Sequence, residues 1–212
     1  MGNRLGIDNL EKYARMFGLG DYTGINLPGE VNGLVANRKY KEKVYGEDWY
    51  LSETFDAAIG QGFQLVTPLQ MAMGEIANDG HRYRPYLVSK VISADGDIVN
   101  TFEPEEMGSI PISDDTLKLI RDALHDVALP GGTAASVFDG FPISIAGKTG
   151  TAENSHGDDH GWFVAYASFD NPTVAVAVIV EQGGFGADLA APIVRKILEA
   201  AFNVPPHKDA AD

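Results

Sequence analysis

The segment Ile143-Ser-Ile-Ala-Gly-Lys-Thr-Gly-Thr-Ala-Glu153 carries the densest chemical signal in the chain: an apolar run ends in a lysine, a hydroxyl and a glycine in immediate succession. In a regular strand, alternation directs Lys148 and Gly150 to one face and Thr149 to the other. A glycine where a strand would carry a side chain permits close backbone approach, so an extended ligand can lie along it. Lys148 adds a positive charge beside that backbone, and Thr149 and Thr151 add hydroxyl donors. The combination suits a peptide that ends in a carboxylate. A bare Lys-Thr-Gly tripeptide also reads as a strand end with a solvated lysine, so the surrounding sequence has to decide.

Other segments hold weaker chemistry. His156-Gly-Asp-Asp-His160 gathers two imidazoles and two carboxylates, a set that can hold a divalent cation. It joins two expected strands and is read as a polar loop near the substrate groove, and no metal or cofactor is expected. Gly60-Gln61-Gly62 can lend Gln61 to a ligand or to the wall of a site, although Gly-x-Gly is equally a tight turn. Trp162 and Phe163 fall on opposite faces of their strand, and one of them fills the core. The acidic run Glu103-Pro-Glu-Glu106 is read as a solvated loop.

These residues need elements to hold them. Strand-like runs at residues 143–150, 161–169 and 173–181, joined by short turn-forming segments, predict antiparallel pairing. Residues 188–202 place Leu189, Ile193, Val194, Ile197, Leu198 and Ala201 at helical spacing, predicting a long helix over one face of that sheet. Upstream, residues 7–17 read as a short amphipathic helix with Asp8 as N-cap, and residues 24–49 as irregular surface. Thr67-Pro68 opens a helix whose stripe runs through Leu69, Ala72, Met73 and Ile76 to a stop at Asn78-Asp79-Gly80. Residues 85–93 and 98–102 form a hairpin about Asp95-Gly96. Ser113 caps a helix striped by Leu117, Ile120, Leu124 and Val127 and closed by Pro130-Gly-Gly132; a second capped helix covers residues 133–137. The expected architecture is α+β, an antiparallel sheet flanked by helices, with one domain over residues 1–204 and a polar, mobile tail over 205–212.

Composition narrows the function. With 44% hydrophobic and 22% charged residues, the 212-residue chain has what a packed core requires. A net charge of −14 opposes the counterion release on which nucleic-acid binding depends, so no nucleic-acid partner is expected. The absence of cysteine excludes disulfides and thiolate chemistry. No apolar run approaches the roughly 20 residues that span a bilayer, and no hydrophobic stretch follows Met1 to make a signal peptide.

The sequence around Lys148, Ala146-Gly-Lys-Thr-Gly-Thr-Ala152 followed by a loop and the strand Gly161-Trp-Phe-Val-Ala-Tyr-Ala167, resembles the penicillin-binding proteins and serine β-lactamases. Gly24-Ile-Asn-Leu-Pro-Gly-Glu30, Ala58-Ile-Gly-Gln-Gly62 and Thr67-Pro-Leu-Gln-Met-Ala72 look like segments found in that order in class B transpeptidases, most of all the elongation-type penicillin-binding protein 2 branch. The resemblance covers residues 2–202. It implies the penicillin-binding transpeptidase fold in incomplete form, with an exposed edge or apolar surface, and the C-terminal portion of a peptidoglycan D,D-transpeptidase domain. No serine here is followed by a lysine three places on or by an asparagine two places on, so the Ser-x-x-Lys and Ser-x-Asn of that family are expected upstream of Met1 and the isolated chain is expected to be inactive.

In such enzymes a serine attacks the penultimate D-alanine carbonyl of a stem peptide and an amine resolves the acyl-enzyme. Carried onto matching positions, the resemblance implies catalytic roles for Lys148, Thr149 and Thr151 and substrate-binding roles for Gly150, Ala152 and Gln61. The implied partners are the stem peptide ending in D-Ala-D-Ala, β-lactams, the N-terminal half of the domain and cell-wall elongation proteins. The implied location is the outer face of the bacterial cytoplasmic membrane, with the anchor outside this chain. The alternatives are a non-catalytic β-lactam sensor, which keeps the groove without turnover, and a serine β-lactamase or D,D-carboxypeptidase, which hydrolyses.

Overall fold

Glycine, proline and asparagine cut the first hundred residues into short pieces, whereas residues beyond 143 run as long uninterrupted elements. In the computed structural model, which describes residues 1–72 and 74–206, this contrast follows a division into two units: Met1–Gln70 with Gly80–Pro111, and Met71–Asp79 with Ile112–Asp212.

The first unit holds α1 (Gly2–Leu5), α2 (Ile7–Met16), α3 (Arg38–Tyr45) and α4 (Leu51–Ala58). Its small core joins Ile7, Ala36 and Ala57 to Leu10, Trp49 and Phe63. Two short antiparallel pairs complete it: β1 (His81–Tyr83) with β4 (Glu106–Ser109), and β2 (Lys90–Ile92) with β3 (Ile98–Thr101).

The second unit holds α5 (Gly74–Ala77), α6 (Asp114–His125), α7 (Ala135–Phe138), β5 (Ile145–Ala152), β6 (His160–Ala167), β7 (Val174–Val180) and α8 (Ala190–Ala201). Helix α6 begins where Ser113 accepts from the Thr116 N–H at 3.2 Å, with Asp114 and Asp115 in its first turn and His125 in its last, charges that complement the helix dipole. The three strands form one antiparallel sheet in the order β5-β6-β7, with Ile145 opposite Ala167 and Ala152 opposite His160. Because side chains alternate, Ile145, Phe163, Ala165, Ala167 and Val176 share one face, where they pack with Ala190, Ala191, Val194 and Leu198 of α8. Phe163 is the residue of the Trp162–Phe163 pair that fills the core, 5.7 Å from Phe138 in a stacked arrangement. The architecture is α+β, an antiparallel sheet flanked by helices.

Several local expectations give way to the structure. Helix α2 is capped by Gly6, while Asp8 lies in its first turn and pairs with Arg38 at 3.1 Å. Residues 38–45, expected to be irregular, form α3: the Asn37 side chain accepts from the Tyr40 N–H, and Gly46 ends the helix in the left-handed conformation. Thr67 does close a capping exchange with Gln70, but turns follow and helix begins only at Gly74. The Gln70 amide donates instead to the carbonyls of Asp21 and Asn32, 2.8 and 3.0 Å away, which holds the backbone out of a continuous helix. Thr133 does not cap α7; its hydroxyl lies 3.1 Å from that of Thr149. The acidic run is partly recruited into β4, with Glu106 2.7 Å from His81 and Glu105 3.1 Å from Arg84. Met73, placed on the stripe after Thr67, and the tail from residue 207 lie outside the described residues.

Candidate active site

Strand β5 brings Lys148, Thr149, Gly150, Thr151 and Ala152 together on eight consecutive residues, Ile145–Ala152, at one end of the sheet order. Its partner β6 is pinned on both sides, whereas among the described residues no strand pairs with the other edge of β5. Which backbone groups face that edge follows from the ladder. The Ala167 carbonyl accepts from the Thr173 N–H at 2.8 Å, so Ala167 and its alternate neighbours on β6 point toward β7, and Tyr166, Val164, Trp162 and His160 point toward β5. Their partners on β5 are Ala146, Lys148, Gly150 and Ala152. The N–H and C=O groups of Ile145, Gly147, Thr149 and Thr151 therefore point outward.

Two side-chain contacts agree with that assignment. The Lys148 Nζ donates to the Thr149 carbonyl at 2.7 Å, and the His125 Nδ1 lies 2.6 Å from the Ile145 carbonyl. The outer edge is thus occupied by side chains at Ile145 and Thr149.

Lys148 is exposed, on the sheet face opposite α8, and shares that face with Trp162. Thr149 lies on the α8 face, against Thr133. A side chain at Gly150 would put its Cβ 3.2 Å from that of Trp162, and one at Gly147 would meet the Phe163 ring and the Val164 carbonyl at 2.9 Å. Both glycines keep the sheet tightly stacked, so their absence of side chain serves packing within the sheet as well as access along it.

The loop after β5 is tied to the turn after β7 by the Gly184 N–H, which donates to the Asp159 carbonyl at 2.8 Å, and at the start of β6 the His160 Nδ1 accepts from the Gln182 N–H at 3.0 Å. His156 Nδ1 pairs with the Ser155 hydroxyl at 2.7 Å. Among the described residues no group of three His, Asp or Glu side chains is arranged to hold a metal ion. Gln61 belongs to the first unit, in the turn after α4; its N–H donates to the Asp56 carbonyl at 2.9 Å, and Gly60 and Gly62 on either side have φ of 80° and 74°, which glycine adopts without strain.

A cleft of about 540 Å³ opens elsewhere in the second unit, walled by α6 through Asp114, Lys118 and Arg121 and by Phe169 and Asp170. No residue of β5 lines it. The strand edge, not this cleft, has the geometry for an extended peptide, which binds by backbone pairing along a flat edge. Sequence reasoning passed over His125, whose link to β5 spans 20 positions and leaves no local signal.

Over residues 1–199 the sequence matches the family described as the penicillin binding protein transpeptidase domain, and the chain belongs to that family. Its similarity is strong to the elongation-type penicillin-binding protein 2 branch. It is 35% identical over 220 residues to the peptidoglycan D,D-transpeptidase MrdA of Salmonella typhimurium, a match covering 94% of this chain and 35% of that protein. Its fold superposes on Pseudomonas aeruginosa PBP2, solved in complex with WCK 5153, with a TM-score of 0.84 at 33% identity, over 100% of this chain and 46% of that one. Helicobacter pylori PBP2, solved in complex with MreC, gives a TM-score of 0.78 at 30% identity, over 95% and 37%. The chain spans about a third of the length of the curated relatives it matches. No helix among the described residues is long and apolar enough to cross a membrane.

Proposed function

We propose that this chain supplies the substrate-binding strand of a peptidoglycan D,D-transpeptidase. The observation that carries the reading is the outward edge of β5, where Thr149 and Thr151 present backbone groups beside the ammonium of Lys148. A stem peptide ending in D-Ala-D-Ala adds to that edge as an extra strand, and a β-lactam occupies the same place. Lys148 holds positive potential near the terminal carboxylate and assists proton transfer, while the hydroxyls of Thr149 and Thr151 bind the carboxylate. The Thr151 N–H, directed outward, donates to the oxyanion as the serine Oγ adds to the penultimate D-alanine carbonyl; one such donor is worth about 2.7–4 kcal/mol elsewhere. The C–N bond to the terminal D-alanine then breaks, that residue leaves as the free amino acid, and an acceptor amine displaces the serine. Gly150 and Ala152 leave room for the substrate backbone.

The serine comes from sequence outside this chain, which contains no Ser-x-x-Lys. Both units are read as parts of one transpeptidase domain over residues 1–204, completed by an upstream half. The intact protein acts at the outer face of the bacterial cytoplasmic membrane, anchored by a segment outside this chain, and works with elongation proteins of the kind found with Helicobacter pylori PBP2.

Labelling with a fluorescent penicillin tests the reading. The isolated chain takes no covalent label; the intact protein does, and Lys148→Ala slows its labelling by roughly 100-fold or more. Labelling of the isolated chain, or an intact Lys148→Ala protein as fast as wild type, would overturn it. Rapid release of the label would indicate a hydrolase instead.

A further inference from the structure

Resting on that function, we propose that His125 is a positioning residue for the transpeptidation step: its imidazole fixes the start of β5 and so sets where Lys148 and Thr151 stand. A carbonyl can only accept, so the 2.6 Å contact requires that Nδ1 carry a proton and donate it to Ile145. The ring cannot swing away, because it stacks on Phe169 with centroids 4.3 Å apart and planes 15° from parallel. Phe169 is itself held from two sides. Its N–H donates to the Ser144 carbonyl at 2.9 Å, and its carbonyl accepts from Arg121, one turn before His125 on α6, at 2.9 Å. Arg121 is completed by Asp79 at 2.8 Å.

Ile145, 2% exposed, is anchored in the core. It lies three residues before Lys148, about 10 Å along an extended strand. On the β6 side, ladder hydrogen bonds hold β5 along its whole length. On the outer side, His125 holds its first carbonyl. A small displacement of a catalytic group far exceeds in rate what it costs in stability, because reacting geometry tolerates little error.

The test uses the intact transpeptidase that contains this chain and measures fluorescent-penicillin acylation as a limiting rate and a half-saturating concentration, each variant at the same interval below its own melting temperature. His125→Leu lowers the limiting rate roughly tenfold. His125→Asn, whose amide nitrogen reaches the place of Nδ1, stays within about twofold of wild type, and His125→Gln, whose amide extends further, matches His125→Leu. A folded His125→Leu protein with an unchanged limiting rate overturns the proposal, since a purely structural residue would lower the melting temperature alone. Equal rates for the Asn and Gln variants also overturn it, and this pair decides the matter if His125→Leu does not fold. Failure of wild type to label at all overturns the transpeptidase function and this role with it, whereas normal wild-type labelling with indifferent His125 variants removes this role alone.

Discussion

In the second unit Ile145, Phe163, Tyr166, Val194 and Leu198 are all less than 2% or 2% exposed, and the sheet is closed on one face by α8. The first unit has few such residues, and many of its apolar side chains face out, including Tyr22, Val31, Ile59, Leu65 and, on the β2–β3 hairpin, Ile98 and Val99. What it has instead are polar side chains that reach across loops to backbone groups. Glu30 accepts from the Thr23 hydroxyl and from the N–H groups of Thr23 and Gly24. Gln64 accepts from the Ala36 N–H, Gln70 clasps Asp21 and Asn32, and the buried Lys41 pairs with Glu53. The second unit is ordered chiefly by excluding water from apolar surface, with one buried polar staple in Arg195, which donates to Glu199 and to the carbonyls of Val137 and Asp139; the first is ordered chiefly by satisfying loop backbone, which apolar packing leaves undone.

The sharpest way to break this contrast is to remove a large core side chain. Phe163→Ala, at a position with no exposed surface, costs about 3–5 kcal/mol through lost burial and the cavity it leaves beside Phe138. Urea unfolding gives the size, and hydrogen exchange should place the loss in β5, β6, β7 and α8. A cost below about 1.5 kcal/mol would mean that the sheet is not held by its apolar face.

A smaller effect is expected at the best-connected polar staple of the first unit. Gln70, 8% exposed, donates twice and accepts once through its amide. Gln70→Ala leaves those groups unmatched and costs about 1–3 kcal/mol. Exchange at the Thr67 amide should rise with it; if that amide stays protected, the clasp is ornamental to the loop.

Glu30 sharpens the comparison through pH. Foremost the Thr23 hydroxyl, and with it the N–H groups of Thr23 and Gly24, hold its carboxyl below the usual carboxylate range against the opposing effect of burial. A carboxyl so lowered stabilises the fold above its unfolded value of about 4.3, and the contribution fades as pH falls through the lower folded value. Exchange at the Gly24 amide should therefore quicken in acid, and Glu30→Gln should remove that pH dependence while leaving β5–β7 exchange unaltered. An identical acid response in the variant would assign it to another group.

The same division explains what the sequence made legible. Strands β5, β6 and β7 and helix α8 are ordered by apolar residues at strand or helix spacing, which is the pattern a linear reading detects. Helix α3 escaped because its one buried residue is Lys41, so its inward face looks polar; Asn37 and Gly46 were the available signals. At Thr67 the capping chemistry was read correctly, but the fate of Gln70 depends on Asp21 and Asn32, 49 and 38 positions away. At the candidate site, the residue types of β5 were enough to suggest an edge for a peptide, whereas His125 became visible only when α6 and β5 were placed side by side.

The smallest effect is expected at Tyr166, three residues beyond Phe163 on the same strand. Its hydroxyl is buried beside Arg121 without a well-aligned hydrogen bond, and burial pushes its ionisation up against the opposing influence of Arg121. Tyr166→Phe therefore removes a polar atom that makes no well-aligned hydrogen bond and leaves the ring in place, so stability should change by no more than about 0.5 kcal/mol, in either direction. Paired with Phe163→Ala, it separates volume from polarity within one strand. A loss above about 1.5 kcal/mol would mean that the hydroxyl is satisfied after all, through Arg121, and that the sheet depends on a second buried polar contact besides that of Arg195 with Glu199.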